Sequence, residues 1–443
     1  MSLSRSQAKR IVNQALGAAS LGDVRVSVSA SRDGNARYGA SMPTTTGDVE
    51  RLDVSVTAVT KDKRKATASG NDTTKEGLEA LVQRAEQLAA LSPVDPELMP
   101  PRGSTSYLSV KAFDRKVSAM KAAQRAPIIE AAIKAGKDQG LEMSGFLEHH
   151  DRAVAAGDRA GLFGYTRDTQ ISLGTTARTT DGTGSSKAGR VGFDAKTIDG
   201  AAIASEAALW ALRSKEPTPL VPGDYTVVLA PQAVSDLMGF FVSQLSHRQA
   251  SEGRSFFAAG GGKTKIGQAL FRSSITLTSD PTDAANPART MTRGGAPQPK
   301  VNWVESGVLR SLTASRYWAD KTGVSVRPRP SSLHMAGGTA SLDDLIAGVD
   351  RGVLVTRFWY NRMLERRSIL ATGVTRDGTF LIEKGKLSKP VQNLRYNDSP
   401  LTLLTKVAAM GVPTRAGLTL GRTDVVPPMV VEGFHFESVV PAV

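Results

Sequence analysis

The sequence predicts an α+β protein in which a mixed helix and strand N-terminal domain precedes a strand-rich C-terminal domain. Three features lead to this prediction: amphipathic segments behind helix-capping motifs, segments in which apolar and polar residues alternate, and a breaker-rich stretch near residue 216. The length of 443 residues also exceeds what one hydrophobic core usually organises. We therefore predict two domains, at residues 1–216 and 221–443.

Helices and strands alternate in the N-terminal part. Ser4-Arg5-Ser6-Gln7 has the form of a capping box, and apolar residues follow it at helical spacing. Residues 24–31 and 53–58 alternate as half-buried strands do, and a second capping box at residues 73–76 opens a helix. We then expect an extended connector at residues 92–103 and a helical region at 112–137 that is broken at Pro127. Strands joined by a glycine turn follow at residues 171–184, and a helix at 199–214.

The C-terminal part begins with a predicted strand at residues 225–230 and a helix opened by Pro231, which suits a first helical turn. Apolar residues on one side of that helix predict a buried face: Val234, Leu237, Met238, Phe241, Val242 and Leu245. Short strands follow, with a hairpin at residues 383–386 and a last helix capped by Ser399. The aromatic run Phe358-Trp359-Tyr360 falls on a strand pattern typical of core.

Composition excludes several kinds of chemistry. The chain has no cysteine, which rules out disulfides, thiol nucleophiles and cysteine-ligated metal sites. No stretch approaches the roughly 18 apolar residues of a membrane span, and the first twenty residues lack a long apolar run. We expect a cytoplasmic protein that does not associate with membranes.

The net charge of +14 is concentrated in the second half of the chain. Residues 251–443 hold 25 Lys and Arg against 15 Asp and Glu, and the surplus gathers at residues 251–300 and 351–400. Such a surplus is typical of a surface that attracts anionic substrates, nucleic acid or acidic partners, and equally of a solvated basic face.

Residues 259–264, Ala-Gly-Gly-Gly-Lys-Thr, superficially match a phosphate-binding loop. The first glycine that such a loop requires would fall at Phe257, and no clear strand precedes it, so a flexible glycine loop is the better interpretation. The sequence also lacks a Gly-x-Ser-x-Gly elbow and a Ser-x-x-Lys signature.

The histidines do not predict a local metal site. His149 and His150 are adjacent on a predicted strand and must point to opposite faces. His247, His334 and His435 are widely separated, whereas zinc needs three or four converging ligands.

Several blocks resemble the TldD/PmbA family of metalloproteases and modulators of DNA gyrase. They lie in the same order as in the family and cover nearly the whole chain: residues 65–69, 160–164, 253–257, 275–277, 280–281, 307–309, 344–346, 352–356, 372–373, 380–385 and 390–391. In the catalytic TldD type, the resemblance implies, a His-Glu-x-x-x-His helix supplies two zinc ligands and the general base, and a later cysteine completes the site.

At the corresponding position this chain has His247-Arg248-Gln249-Ala250-Ser251-Glu252. The first histidine remains, but Arg248 stands in place of the base and Glu252 in place of the second histidine. Arginine cannot accept a proton at neutral pH, and its charge would oppose a nearby dication. The resemblance is therefore closest to the PmbA or TldE type, which lacks the metal helix. We predict no catalytic residue and no metal or cofactor in this chain.

For this type the resemblance implies a subunit that encloses or positions a peptide for proteolysis. We expect a homodimer or a heterodimer with a TldD-like zinc subunit, and we predict that Arg254, Arg362, Arg366 and Arg367 line the shared cavity. One alternative is a protein that binds nucleic acid or an anionic partner, although low aromatic content argues against nucleic acid. Another is a peptidase with an altered metal site built from His247 and Glu252 beside a remote carboxylate or His334.

Overall fold

A computed structural model describes residues 3–440 of the chain. Within this part, the N-terminal half forms one six-stranded antiparallel sheet in the order β3-β2-β1-β4-β5-β6. Its strands are β1 (Asp23–Gly39), β2 (Met42–Val59), β3 (Lys65–Gly70), β4 (Leu141–Asp158), β5 (Phe163–Thr179) and β6 (Ser185–Gly192). Its helices are α1 (Arg5–Gly17), α2 (Lys75–Leu91), α3 (Arg115–Ser118), α4 (Ala122–Lys137) and α5 (Gly200–Arg213), with a 3₁₀ turn at Ala195–Thr197.

The helices cover one face of this sheet. Even-numbered residues of β1 between Val24 and Tyr38 are buried, except the half-buried Arg32, and the apolar ones pack against α1 and α2 near one end of the sheet and against α4 and α5 near the other. Because the side-chain period of a strand is two, the neighbouring odd-numbered residues point to the opposite face. Part of that face meets loops of the C-terminal half, as shown by hydrogen bonds from Gln170 to Gly421 and from Leu420 to Glu148.

The C-terminal half contains two sheets and a small hairpin. A nine-stranded sheet consists of β7 (Gly223–Leu229), β14 (Arg351–Val355), β15 (Phe358–Glu365), β16 (Leu370–Thr375), β17 (Thr379–Glu383), β18 (Lys386–Pro390), β19 (Asn393–Asp398), β20 (Val407–Met410) and β23 (Met429–Val440). A six-stranded sheet consists of β10 (Leu277–Ser279), β11 (Val301–Glu305), β12 (Val308–Leu309), β13 (Leu333–Met335), β21 (Thr414–Ala416) and β22 (Asp424–Val426), and β8 (Ala258–Gly260) pairs with β9 (Lys263–Thr264).

Short helices connect these strands: α6 (Pro231–Gln244), α7 (His247–Ser251), α8 (Arg316–Thr322), α9 (Leu342–Ala347) and α10 (Pro400–Thr405). The buried face predicted for α6 is confirmed, and it packs into the largest hydrophobic core together with Trp303 and several phenylalanines. The strand-rich α+β prediction is thus confirmed. The boundary predicted between residues 216 and 221 stays a prediction, with the last strand of the N-terminal sheet ending at Gly192 and the next sheet beginning at Gly223.

Local predictions mostly agree with the structure. Ser4 and Gln7 form the predicted capping box of α1, whereas α2 is capped by Thr74, whose hydroxyl accepts from the Gly77 N–H. The break predicted at Pro127 is wrong, because α4 runs through this residue and the interruption lies at residues 119–121. Burial of Ile129 and other apolar residues of α4 against the sheet and α5 offsets the single backbone hydrogen bond that a proline removes.

Candidate functional site

The segment His247–Glu252 lies just beyond a break in the helical path. Helix α6 ends at Gln244, Leu245 leaves the helical conformation, and Ser246 caps a new turn, α7, by accepting from the Gln249 N–H. The short helix therefore begins at His247 and is separate from α6. This arrangement brings His247, Arg248 and Glu252 next to α8.

The ring of His247 is fixed by a tryptophan. Trp318 of α8 donates its indole N–H to Nδ1 of His247 at 2.9 Å, and the Ser251 hydroxyl lies 3.2 Å from the same nitrogen. His247 is buried, and this burial lowers its pKa below the ordinary value of 6.5. A neutral ring whose Nδ1 accepts these bonds carries its proton on Nε2, so neither nitrogen presents a free lone pair.

Arg248 is held by two carboxylates and an aromatic ring. It forms a two-pronged pair with Glu97 of the N-terminal half, at 2.7 and 2.9 Å, and donates from Nε to Glu252 at 2.9 Å. Its guanidinium lies over Trp318, 5.2 Å from the ring centroid. The carboxylates raise the pKa of Arg248, and hydrogen bonds from Arg254 and Arg248 lower the pKa of Glu252. We name this group of side chains the α7 cluster, and it consists of Glu97, His247, Arg248, Glu252, Arg254 and Trp318. Its two arginines and two glutamates balance each other in charge.

These residues do not fit the zinc ion of the TldD-type site. For Nε2 of His247 to bind a metal, its proton would have to move to Nδ1, which would break the bond from Trp318. Glu252 is already engaged by two arginines, whose positive charges oppose a dication. Between residues 3 and 440, no three His, Asp or Glu side chains are placed to hold a metal ion together.

The glycine loop lies beside the α7 cluster. Gly260, Gly261 and Gly262 all have positive φ angles and form the turn between β8 and β9. A phosphate-binding loop needs a helix immediately after the glycines, and here a strand follows, which agrees with the interpretation as a glycine loop. Together with His247, Glu252 and Trp318, this turn lines an open cavity of about 570 Å³.

The remaining histidines lie apart from this site. Nδ1 of His334 is 2.9 Å from Asp283, so the ligand set proposed from His247, Glu252 and His334 does not form. On β23, His435 is bonded to Asp224 and Glu437, and these two carboxylates raise its pKa.

His149 and His150 point to opposite faces of β4, as their spacing requires, and both are buried. The ring of His149 lies on the helix side, 3.0 Å from the Arg125 guanidinium. Burial, with a smaller contribution from Arg125, lowers the pKa of His149 to about 4.

The four arginines predicted to line a cavity fall into two groups. Arg254 pairs with Glu252, and Arg367 donates to the Gly253 carbonyl at 3.0 Å, so both lie at the end of α7. Arg362 and Arg366 are exposed on and just after β15, where Arg362 lies over the Tyr360 ring. Their position relative to a second subunit stays a prediction.

The prediction that Phe358-Trp359-Tyr360 belongs to the core is wrong for two of its residues. Phe358 is buried, but Trp359 and Tyr360 are 42% and 61% exposed on β15, the edge strand of the nine-stranded sheet. The register shifts between Trp359 and Arg362, and Tyr360 has a positive φ of 58°, so the alternation assumed from sequence fails here.

Sequence reasoning missed Glu97 and Trp318, which organise the α7 cluster. They lie 151 and 71 residues from their partners, and no local pattern marks either of them. Only the fold brings the connector after α2 and the helix α8 next to α7.

Comparison with known proteins agrees with this architecture. The family model of the PmbA/TldA metallopeptidase C-terminal domain matches residues 222–438, and that of PmbA/TldA metallopeptidase domain 1 matches residues 24–89. Among solved structures, TldE from Thermococcus kodakarensis superposes with a TM-score of 0.85 at 16% identity, covering 98% of this chain and 100% of that one. A protein named as a modulator of DNA gyrase, from Bacteroides thetaiotaomicron, gives 0.83 at 21% identity, covering 99% and 100%.

A curated relative, the metalloprotease TldD homolog of Haemophilus influenzae, is 24% identical over 173 residues. The match spans 35% of this chain and about a third of that relative's length. No helix between residues 3 and 440 is long and apolar enough to cross a bilayer. On the family models and the shared fold, this chain belongs to the PmbA/TldD family.

Proposed function

We propose that this protein is a non-catalytic, TldE-like subunit that encloses or positions a peptide for proteolysis by a zinc-bearing, TldD-like partner. The observation that carries the proposal is the α7 cluster. The family resemblance matches His247, Arg248 and Glu252 to the metal helix of the TldD type, and in this protein each of them is bound to other side chains of the same chain.

The chemistry of these side chains supports the same conclusion. A metallopeptidase needs a general base beside its metal, and an arginine in a two-pronged pair with Glu97 can neither accept a proton nor leave its partner without cost. The buried, tryptophan-bound His247 is a structural group of this chain. We therefore assign it no catalytic step.

Exposed apolar side chains on β15 support association with another subunit. The strand lies at a sheet edge, and Trp359, Tyr360 and Leu364 are 42%, 61% and 54% exposed. An edge strand with exposed aromatic residues is a ready surface for a protein partner. A homodimer and a heterodimer with a TldD-like subunit are both compatible with it.

The test combines metal content with peptide hydrolysis. We expect the protein purified without chelators to hold no stoichiometric zinc and to cleave no unfolded peptide, and we expect cleavage once a TldD-type subunit from the same organism is added. His247→Asn keeps an acceptor near Trp318, so the mixture should cleave peptide as well as wild type does.

Two results would contradict the proposal. One is stoichiometric zinc together with cleavage by this chain without a partner, which would favour the altered metal site. The other is a mixture that cleaves no faster than the TldD-type subunit does without this chain. A loss of zinc in His247→Asn would show that the histidine is a ligand.

A second candidate function, binding of single-stranded nucleic acid, is favoured by the same surface of β15. Arg362 lies over Tyr360 at 4.6 Å, and Arg376 lies over Trp359 at 4.4 Å. Aromatic side chains next to arginines are the elements on which such proteins stack bases. A gel-shift titration at two salt concentrations tests it. Salt-sensitive binding that Trp359→Ala and Tyr360→Ala weaken would support it, and no shift at low salt would reject it.

A further inference from the structure

A second cavity, of about 440 Å³, lies between the outer face of the N-terminal sheet and loops of the C-terminal half. Strands β4 and β5 form one wall, and residues 286–289, 291–293, 415 and 421–423 contribute to the other. Five arginines line it, and we name it the arginine cavity: Arg152, Arg289, Arg293, Arg415 and Arg422. The residues that line the arginine cavity therefore come from distant parts of the sequence.

Two of these arginines have carboxylate partners. Arg289 donates from Nε to Asp168 at 2.6 Å, which joins the C-terminal half to β5. Arg422 pairs with Asp424, a carboxylate that is almost completely buried. In both pairs the positive charge is balanced within the chain.

The other three arginines have no carboxylate partner among residues 3–440. Arg415 donates to the backbone carbonyls of Ala285 and Val191, which fix the guanidinium without neutralising it. The side chains of Arg152 and Arg293 form no hydrogen bond or ion pair with any residue of the described part of the chain. Like charges gathered in a partly enclosed cavity repel one another, and an anion in the cavity would relieve that repulsion.

A buried histidine supplies an independent sign of a ligand. His150 lines the cavity and is only 3% exposed, and its Nδ1 has no hydrogen-bond partner within residues 3–440. Its Nε2 faces Asp168 at 3.7 Å. Buried polar atoms are nearly always satisfied, so an unsatisfied one at a cavity wall is available to hydrogen-bond a group in the cavity.

We propose that the arginine cavity binds a small ligand that carries an oxyanion group with two or more negative charges, either a phosphate or a pair of carboxylates. Guanidinium groups present forked donors that match both kinds of oxyanion. The volume is within the range of small-molecule sites, about 300 to 1,000 Å³. The site uses none of the residues of the α7 cluster, and it does not depend on the proposed role in proteolysis.

Isothermal titration of the whole protein with inorganic phosphate and with succinate, each compared with chloride at equal ionic strength, tests the proposal. We expect saturable binding of at least one dianion with a stoichiometry of one. Arg152→Ala and Arg293→Ala should each weaken it about tenfold or more, and Arg152→Lys should weaken it less. Arg84→Ala, an exposed arginine of α2 outside the cavity, is the matched control.

The two probes distinguish the ligand class. Binding of phosphate but not succinate assigns a phosphorylated ligand, and the reverse assigns a dicarboxylate. The proposal is overturned if neither dianion binds more tightly than chloride, or if binding is unchanged in both alanine variants. Arg293 is exposed, and its side chain has no ion-pair partner in the described range 3–440, so its alanine variant should fold, which a thermal melt verifies.

Discussion

The α7 cluster and the arginine cavity use the same residue type in opposite ways. In the α7 cluster Arg248 and Arg254 contact Glu97 and Glu252, so each guanidinium has a carboxylate. In the arginine cavity, three of the five guanidinium groups have no carboxylate partner within the described part of the chain. Positive charge that is matched inside the chain contributes to structure, whereas unmatched charge in a cavity is available to a ligand.

This difference shows that the net charge of a sequence segment does not tell which of its arginines are able to bind an anion. The basic surplus of residues 251–300 includes Arg254, which is neutralised, and Arg293, which is not. A count along the sequence treats the two alike. Only the contacts separate a structural arginine from one that can bind an anion.

The largest expected effect concerns a matched arginine inside the cavity. Arg289→Ala removes an ion-pair partner of Asp168. Burial acts to raise the pKa of Asp168, and hydrogen bonds and charge interactions with His150 and Arg289 together outweigh it and lower the pKa. A largely buried carboxylate left without its cation is destabilising, and we expect a loss of about 2 kcal/mol in the free energy of unfolding. This is below the value for a fully buried pair because Arg289 is about one-third exposed.

Urea denaturation at pH 7 measures this change. Arg289→Lys, which keeps the charge, should recover part of the loss. A decrease below about 0.5 kcal/mol would show that the pair is no more than an exposed ion pair, and the distinction between matched and unmatched arginines would fail.

Asp236 provides the acidic counterpart of this comparison, because it is a buried carboxylate without an ion-pair partner among residues 3–440. Asp236 of α6 forms no ion pair with any residue between 3 and 440, since the nearby Arg357 pairs with Asp377 at 2.8 Å. Burial raises the pKa of Asp236 from 3.8 to about 6, against the opposing effect of hydrogen bonds from Gln232 and Phe358. The folded state therefore holds the proton more tightly than the unfolded state does.

The sign of the resulting pH dependence follows from linkage. This contribution to stability is complete below pH 3.8 and is lost as the pH rises through about 6. In Asp236→Asn, a rotated Gln232 amide can accept from the new N–H through Oε1, which has no partner among the described residues. We expect the variant to be more stable than wild type by about 1 to 2 kcal/mol at pH 7 and nearly equal to it at pH 4.

Thermal melts at several pH values between 4 and 7 compare the two proteins. Asp236→Ala, which leaves Gln232 and the Phe358 N–H unpaired, is the control and should be destabilised at every pH. A constant difference between the asparagine variant and wild type would mean that Asp236 does not titrate in this range.

Much of the fold was predictable because its signals are local. The capping box at Ser4, the apolar face of α6 and the alternation in β1 depend on neighbours within a few residues. The prediction that Trp359 and Tyr360 lie in the core failed because the backbone of β15 is irregular there. A shift in strand register and the positive φ of Tyr360 turn these side chains out of the core.

The sites were less predictable because they are assembled over long distances. Sequence located His247–Glu252 through a family resemblance, but Trp318 and Glu97 reach it only through the fold. In the arginine cavity, Arg152 comes from β4 and Arg422 from a segment 270 residues later, so no window of sequence contains both.

The smallest expected effect is that of removing an unmatched arginine, in contrast to the matched Arg289. Arg293→Ala removes a guanidinium that forms no ion pair with residues 3–440, so we expect the free energy of unfolding to change by less than about 0.5 kcal/mol. The sign should be a slight gain at low ionic strength, where removing one of three unmatched charges reduces their repulsion, and this gain should fade as salt screens the remaining charges. Urea denaturation at two salt concentrations measures the change in the free energy of unfolding and its dependence on salt. A clear loss of stability would mean that Arg293 has a structural role, and its charge would then no longer count as free for a ligand.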